Sequence, residues 1–388
     1  MVKVNVNGKA MLGALKTVHI GAGADGVAML VIAKARNAQD TDKLMVQTSN
    51  GNVAAASVVG VSAEGLDDKP VTAFISYATL NGVVSSMVAI SENLTIEIDG
   101  LVNVVSGDNR VTIPLSDAKS FVMLKESDDD KVLTFTVDSH TFKDAIVRAS
   151  HRCDLSANAQ GVTSQVYMRL SKGDCEVGGM CSYMIGISSD IAIKPVEPLD
   201  DAFTKDISVK AAWIANVVSI LGDTGLATIQ VGKTLLSVQH GTNRAFVTRA
   251  ENERWDTHDK AKGIIAAVCG EGNPTFEVEK KDIALALSLV QSNLADRANW
   301  SMNVSKEGEN LIFSNTAGTA TGSCKLLAGK DEQMEDYPFS ITQVKDVISS
   351  LTGQTILITF GAMGPGGAMH IEDGKEQVVV IGLQKKAE

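Results

Sequence analysis

One glycine-rich loop in this chain has the spacing of a phosphate-binding site. Residues 21–26 are Gly-Ala-Gly-Ala-Asp-Gly, they follow an apolar run, and Asp40 and Asp42 lie downstream. Such a loop binds a dinucleotide when it follows a strand and opens a helix within alternating strand–helix units. Residues 10–18 have a helical pattern instead, and the rest of the chain lacks that alternation. We predict a linker between a helix and a strand, with a dinucleotide-binding enzyme as an alternative.

Other candidate chemical groups are weaker. The second glycine run, residues 361–367, lacks the Lys-Ser/Thr end of a P-loop and is predicted to be a hairpin loop. His151, Arg152 and Cys153 are adjacent, but neither a second pair of ligands nor a base can be named for them. The six histidines suggest no Ser-His-Asp arrangement. We therefore predict no catalytic residue, no metal and no cofactor.

The five cysteines are odd in number and none has metal-ligand spacing, which favours reduced thiols that pack like small apolar residues. They are Cys153, Cys175, Cys181, Cys269 and Cys324.

The composition indicates a soluble, acidic protein. The chain has 388 residues, 44% of them hydrophobic, and its 35 Lys and Arg against 46 Asp and Glu give a net charge of −11. Polar residues interrupt the amino-terminal stretch, which argues against a signal peptide. No apolar run approaches the roughly 18 residues of a membrane span. We predict a cytoplasmic protein without membrane contact. The charge argues against wrapping of nucleic acid over the whole surface, although a local basic strip stays open.

Three landmarks recur in one order, three times. A strand–helix segment starts at Ile75, Val209 and Phe339; another starts at Val4, Phe135 and Phe276; and a hairpin-like segment starts at Gly107, Gly241 and Gly374. An interval of about 130 residues is far too long for a solenoid repeat. The chain is therefore predicted to contain three copies of one domain, at 1–127, 128–271 and 272–388, with boundaries in the polar stretches 126–131 and 271–274.

Each copy is predicted to hold two halves, each a strand, a helix and further strands. Apolar residues recur on one helical face at spacings of three and four. The predicted buried positions of the six helices are Met11, Leu15 and Val18; Leu80, Val84 and Met87; Phe142, Ile146 and Ala149; Ile214, Val218 and Leu221; Ile283, Leu287 and Val290; and Val344, Ile348 and Leu351. Asp138 and Ser139 are candidate caps for the third helix. Strands with period-two alternation follow each helix, which predicts an α+β fold.

The ordered landmarks, together with Leu-Thr-Ile-Glu-Ile-Asp-Gly at 94–100 and Ser-Gly-Asp-Asn-Arg-Val-Thr-Ile-Pro-Leu at 106–115, resemble the bacterial sliding clamps, the β subunits of DNA polymerase III. The resemblance covers essentially the whole chain. It implies three tandem clamp domains, with helices inside and antiparallel sheets outside a ring of two head-to-tail chains. It further implies a non-catalytic processivity factor that encircles duplex DNA and binds the polymerase and the clamp loader through short apolar peptides.

A sliding ring needs mild positive charge toward the phosphates and no base-specific contacts. On the helix faces opposite the apolar stripes, the basic candidates for the DNA-facing surface are Lys9, Lys16, Arg148, His151, Arg152 and Lys281. Acidic residues, notably Asp144 and Asp346, interrupt the pattern. A clamp-fold scaffold without a DNA role is therefore a further alternative.

The partner-peptide pocket departs from the family pattern. Residues 180–184, Met-Cys-Ser-Tyr-Met, stand where the resemblance implies Asp-Gly-His-Arg-Leu, so that the polar rim has changed while apolar positions persist. The resemblance assigns the pocket to Val162, Ser182, Tyr183, Met184, Ala261, Val379 and Ile381. For the homodimer interface it implies the strand with Arg110, Val111 and Ile113, and Leu294 as an apolar counterpart.

Overall fold

The structure is a computed structural model, and it describes residues 1–23, 26–37, 39–125, 132–156, 159–250, 256–292, 301–316, 318–329, 333–363 and 366–383. The chain divides into two compact units. Unit 1 comprises 1–143, 193–199 and 212–251; unit 2 comprises 144–192, 200–211 and 252–388. The division into three sequence domains stays a prediction.

The described elements follow one order three times: a strand, a helix, four strands, a second helix and three strands. The first repeat contains β1 (Val2–Asn7), α1 (Gly8–Val18), β2 (Val27–Ala33), β3 (Asp42–Ser49), β4 (Val53–Glu64), β5 (Val71–Ser76), α2 (Tyr77–Val88), β6 (Asn93–Ile98), β7 (Val102–Ser106) and β8 (Asn109–Ile113). The second contains β9 (Leu133–Asp138), α3 (Ser139–His151), β10 (Gln165–Ser171), β11 (Asp174–Cys181), β12 (Met184–Pro195), β13 (Thr204–Lys210), α4 (Ala211–Val217), β14 (Leu226–Val231), β15 (Leu235–His240) and β16 (Asn243–Thr248).

One further helix, α5 (Asp256–Val268), precedes the third repeat. That repeat contains β17 (Thr275–Glu279), α6 (Lys280–Ser292), β18 (Ser301–Glu307), β19 (Asn310–Asn315), β20 (Thr321–Ala328), β21 (Tyr337–Ser340), α7 (Ile341–Ser350), β22 (Thr355–Gly361), β23 (Ala368–Glu372) and β24 (Glu376–Ile381). The α+β fold with three copies of one element order is confirmed. The sequence pattern does not predict helix α5, because two helices in each repeat leave no place for a seventh.

The predicted helix faces are confirmed. All eighteen predicted core positions are 5% exposed or less. Short polar side chains begin several helices: the side chains of Asn7, Ser76 and Asp138 each accept a hydrogen bond from the backbone N–H three residues on. Ser139 is not a cap, because its hydroxyl donates to the carbonyl of Gly222 at 2.8 Å.

The third landmark of each repeat is a tight hairpin. Gly107, Gly241 and Gly374 stand in the turns that join β7 to β8, β15 to β16 and β23 to β24, and their φ angles are +58°, +58° and +95°. Residues with a Cβ rarely adopt this left-handed backbone, so glycine recurs at the same place in each repeat. The last strand of each repeat thereby returns antiparallel to its neighbour.

All strand pairing described in the two units is antiparallel. In unit 1 the order begins β5–β2–β3–β4, and the two halves of β4 have different partners on their other edge. The first half of β4 pairs with β16, and the order continues β15–β14–β9. The second half of β4 pairs with β1, and the order continues β6–β7–β8. In unit 2 the order is β13–β10–β11–β12–β24–β23–β22–β17–β20–β19–β18–β21.

The glycine loops are connections, as predicted. Residues 21–26 follow helix α1 and a 3₁₀ turn at residues 19–21 rather than a strand, and β2 comes next; Ala24 and Asp25 lie outside the described residues. The strand that a dinucleotide site requires before its glycines is therefore not present at this place. Residues 361–367 join the antiparallel strands β22 and β23, although 364 and 365 lie outside the described residues.

Candidate functional site

Two sheet junctions in the chain share one geometry. In unit 1, Val53 to Ser57 on β4 pair with Val247 to Asn243 on β16. In unit 2, Met184 to Ser188 on β12 pair with Val380 to Glu376 on β24. In both junctions the first half of a long strand pairs with the last strand of the following repeat.

A cleft of about 860 Å³ lies beside the junction of unit 2. Its walls are the second half of α3, helix α7 and the start of β12. Tyr183 is 46% exposed and Met184 is 6% exposed, and both line the cleft. Two predicted pocket residues therefore border an open space, with apolar surface from the exposed Leu155 beside them.

A buried ionic cluster supports the wall of this cleft. Arg152 is 2% exposed and donates to Oε1 of Glu376, which is 4% exposed and also accepts a hydrogen bond from the hydroxyl of Ser188. Arg148 Nε lies 3.3 Å from Glu376 Oε2, within ion-pair distance but not aligned as a hydrogen bond. Two guanidinium groups thus share one carboxylate.

The backbone leaves room for this cluster at one place. A Cβ atom on Gly186 of β12 would lie 2.5 Å from Nη1 of Arg152. The arginine side chain therefore packs directly over the backbone of β12, and a larger residue at position 186 would displace it. Helix α3, strand β12 and strand β24 are held together at a single point.

The structure corrects part of the predicted basic surface. Lys9, Lys16, His151 and Lys281 are exposed, and Lys9 and Lys281 form ion pairs with Glu92 and Glu279. Arg152 is buried, so the prediction that it faces DNA is wrong. Arg148, with 19% of its side chain exposed, also directs its charge to Glu376. The aliphatic parts of both arginine side chains are buried, and the carboxylate of Glu376 attracts their guanidinium groups toward the protein interior. Glu376 is 224 residues from Arg152 in the sequence, so the sequence pattern around the arginines does not indicate this contact.

The predicted pocket divides between two faces of the junction. Ala261 and Val379 are fully buried in an apolar cluster beneath α5, so neither lines an open groove in this structure, and their place in a partner pocket stays a prediction. Ile381 is half-buried and its N–H donates to the carbonyl of Tyr183 at 2.9 Å. Ser182 is exposed in the turn before β12, and Val162 is half-buried in a 3₁₀ turn.

Sequence reasoning missed Glu376, the centre of the ionic cluster. A signal was present, because the three hairpins have Asn109, Asn243 and Glu376 at the same position. In unit 1 the hydroxyl of Ser57 donates to the amide oxygen of Asn243 at 2.8 Å, as Ser188 donates to Glu376 in unit 2. The third repeat has the carboxylate of Glu376 where the other two have the amide of an asparagine, and this difference indicates a positive charge near Glu376.

The predicted dimer strand is an edge strand. Within the described residues β8 pairs only with β7, so the side away from β7 is open. Arg110 is exposed and Val111 half-buried, but Ile113 is 1% exposed in the core, so its side chain is not an interface group. Leu294 lies outside the described residues.

Two ionisable groups near the cleft have raised pKa values. Burial raises the pKa of the Cys153 thiol to about 12, which disfavours the thiolate that a nucleophile needs. Neighbouring Cys181 raises the pKa of Tyr183. Over the described ranges, no three His, Cys, Asp or Glu side chains group as metal ligands. No helix in the part of the chain that is described has the length and apolarity to cross a membrane.

Solved bacterial sliding clamps have the same fold over the whole chain. A DNA polymerase sliding clamp from Pseudomonas aeruginosa, solved with a ligand, matches with a TM-score of 0.81 at 12% identity, covering 99% of this chain and 100% of that one. The sliding clamp from Bacillus subtilis matches with 0.80 at 13% identity and 99% coverage of both chains. The Helicobacter pylori β clamp bound to a DNA ligase peptide matches with 0.77 at 13% identity, covering 98% and 100%. No family model and no curated protein sequence matches the chain. At these identities the likeness establishes the fold: the chain is built as the bacterial sliding clamps are.

Proposed function

We propose that the protein is a DNA sliding clamp, a non-catalytic processivity factor that encircles duplex DNA in the cytoplasm. The observation that carries the proposal is the threefold element order in a chain with the clamp fold over 98–99% of its length. Two copies would close a ring with helices inside and sheets outside. The exposed Lys9, Lys16, His151 and Lys281 would offer weak, sequence-independent contacts to phosphates.

The internal junctions support closure of such a ring. Each of the first two repeats pairs its long strand, β4 or β12, with the last strand of the next repeat. In the third repeat the long strand is β20, and within the described residues the edge of its first half away from β19 has no partner. Strand β8 is equally open on one side. We infer that β20 of one copy pairs with β8 of a second copy, so that the third junction is intermolecular.

The repeats also supply the register of this third junction. Gly322 occupies the position in the third repeat that Ser57 and Ser188 occupy in the first and second. This correspondence is obtained by following the paired strands from the landmark at Ile75, Val209 and Phe339. Ser57 pairs with Val46, Ser188 with Val177 and Gly322 with Phe313, and these three partners are equivalent in the three repeats. Asn109 corresponds to Asn243 and Glu376. Gly322 should therefore oppose Asn109 of the second copy, and Ala320 should oppose its Val111, as Ala55 opposes Ala245.

This register predicts an efficient intermolecular disulfide. The backbone bonds Val58 N–H to Thr242 O and Thr248 N–H to Asn52 O make Ala55–Ala245 a non-hydrogen-bonded pair, with Cα atoms about 4.5 Å apart, close enough for a disulfide. The variant Val111→Cys with Ala320→Cys should therefore oxidise to a covalent dimer of twice 40.9 kDa. Denaturing electrophoresis measures this; Val111→Cys with Thr321→Cys, one residue out of register, is the control. A ladder of polymers would mean that the chains do not close.

The same variant tests the DNA role. Oxidised in the presence of a nicked circular plasmid, the closed dimer should stay with the plasmid in roughly 1 M NaCl, where phosphate contacts are screened. Cutting the plasmid once should release it. Closed dimers that never remain on circular DNA would favour the alternative, a clamp-fold scaffold without a DNA role.

Partner peptides would enter the cleft at Tyr183. The exposed ring of Tyr183 and the side chain of Leu155 offer apolar surface to a short apolar segment of a polymerase or a clamp loader. A labelled octapeptide with a Leu-Phe pair between serines should bind to the wild-type protein. Tyr183→Ala should lower its affinity about tenfold or more, because burial of a large apolar side chain contributes about 1.5 kcal/mol or more to binding. Fluorescence anisotropy measures this, with Ser182→Ala in the same turn as the control. Equal binding by both variants would place the peptide elsewhere.

A further inference from the structure

Helix α5 covers an apolar groove with a single narrow stripe. Ala261, Ile265 and Val268, at spacings of four and three, are 0%, 6% and 1% exposed. The groove beneath them crosses the junction of β12 and β24, and its floor is formed by Tyr167, Ile185, Ile187, Ala368 and Val379. The positions between them on the helix, including Lys262, Gly263 and Ala266, are exposed. Two predicted pocket residues, Ala261 on α5 and Val379 on β24, are thus buried where the helix packs on the sheet.

The amino-terminal half of α5 is attached by polar contacts at the rim. Glu176 of β11 accepts from His258 Nε2 at 2.7 Å and from Lys262 Nζ at 2.6 Å. Arg169 of β10 donates to Asp259 at 2.7 Å while it also binds Asp206. The side chains of Asp259 and Lys262 are 66% and 48% exposed. Pairs with such exposed partners contribute little to stability, so the buried bond between His258 and Glu176, whose side chains are 3% and 17% exposed, is the main polar attachment.

His258 makes the attached state less favourable than the contacts suggest. Its side chain is 3% exposed, and Nδ1 is buried without a hydrogen-bond partner among the described atoms. Water would satisfy this nitrogen if the helix moved away, because an unmade buried hydrogen bond costs free energy.

The carboxyl-terminal end of α5 is held more firmly. Asn273 donates through Nδ2 to the carbonyl of Val268 at 2.8 Å. A Cβ on Gly361 would come within 2.9 Å of the same carbonyl oxygen, so the helix end rests on the backbone of β22. Gly270 and Gly272, the latter with a φ of +87°, follow immediately. The helix can therefore pivot about its carboxyl end when its amino-terminal contacts break.

The helix is also intrinsically weak. It has 13 residues, and a helix of this length is marginal in water without tertiary packing. Gly263 stands in its middle, and nothing lies within 4 Å of the position that a Cβ atom would take there, so packing does not require glycine. Glycine in a helix interior disfavours the helix relative to alanine.

We infer that α5 is a detachable cover of this groove, and that the groove binds an amphipathic helix with the apolar spacing of α5 itself. When α5 is seated, it competes with such a partner. The inference concerns regulation of partner binding and in that respect rests on the proposed function. Its tests use neither DNA nor a polymerase, so that failure of one proposal is distinguishable from failure of the other.

The test is binding of a labelled peptide with the sequence of residues 256–268. Ile265→Asp removes the central apolar contact of α5 and leaves the groove floor unchanged, so this variant should bind the peptide. Wild type should bind roughly 10 to 100 times more weakly, because an open state populated at about 1–10% reduces the apparent affinity by that fraction. Ala266→Asp adds the same charge at an exposed position of the same helix and should behave as wild type.

Hydrogen exchange supplies a second measurement, in which a variant that stabilises α5 should slow the opening of the helix. Amides of α5 should exchange faster than those of β12 and β24, and Gly263→Ala should slow the exchange of α5 because it strengthens the helix. The inference is overturned if α5 exchanges as slowly as those strands. It is equally overturned if Ile265→Asp abolishes cooperative unfolding of unit 2, which would make α5 part of the core, or if that variant binds the peptide no better than wild type does.

Discussion

Replacing Glu376 with alanine is expected to lower the free energy of unfolding of unit 2 by about 3–5 kcal/mol, the usual cost of removing one partner from a buried ion pair. The carboxylate is 4% exposed and is the acceptor for Arg152 and Ser188, with Arg148 3.3 Å away. Without it, a buried guanidinium and the hydroxyl of Ser188 lose their acceptor. The positive charges of Arg148, on α3, and of Arg152, directly after α3, then lie close together without an anion between them.

Calorimetric thermal unfolding measures this effect. In a body of 150–250 residues each kcal/mol shifts the midpoint by about 2–4 °C, so we expect a fall of roughly 6–20 °C. Glu307→Ala, at an exposed position of β18 in the same unit, controls for the loss of a negative charge and should change the midpoint little. Equal midpoints for the two variants would contradict the assignment of Glu376 as the centre of the cluster.

Replacing Gly179 with alanine is expected to displace the end of α3 and to destabilise unit 2 by about 1–3 kcal/mol, the usual cost of overpacking a core. A Cβ at Gly179 of β11 would lie 2.1 Å from the carbonyl oxygen of Ala149 and 2.9 Å from Sγ of Cys153. The oxygen belongs to helix backbone, so it cannot turn away as a flexible side chain would. The helix must shift, and it carries Arg148 and Arg152 with it.

Urea denaturation of the variant measures the loss, and Gly173→Ala is its matched control. Gly173 lies in the turn between β10 and β11, where nothing lies within 4 Å of an added Cβ and the φ angle is outside the left-handed range. The control should unfold as wild type does. An unchanged midpoint for Gly179→Ala would mean that α3 and β11 approach each other less closely than described.

The helix faces and the repeat order were predictable because their signal is local. Phe142, Ile146 and Ala149 indicate one side of α3 through spacings of three and four, whatever packs against them. The hairpin glycines at 107, 241 and 374 mark turns that need a left-handed backbone. Such preferences act over a few residues, so one sequence is sufficient to recognise them.

The candidate site was predicted only in part. Tyr183 and Met184 border a cleft, as expected of pocket residues, but Arg152 is buried and Ala261 and Val379 are covered. Solvent exposure depends on what packs above a residue, and the covering helix α5 lies outside the repeated pattern of two helices per copy. The spacing of apolar residues does not show whether they are covered by another element or line an open groove.

Three copies of one α+β element order, the buried faces of the helices and the positions of the hairpin turns all follow from the amino-acid sequence. The packed fold was needed to show that Glu376 binds Arg148, Arg152 and Ser188 and that α5 covers the groove over Val379. It was also needed to show that the edges of β8 and β20 are open within the described residues. The two groups of features differ in the sequence distance over which their interactions act. Turn and helix preferences are properties of neighbouring residues, whereas an ion pair across 224 positions, a covering helix and an unpaired strand edge exist only once distant segments have packed.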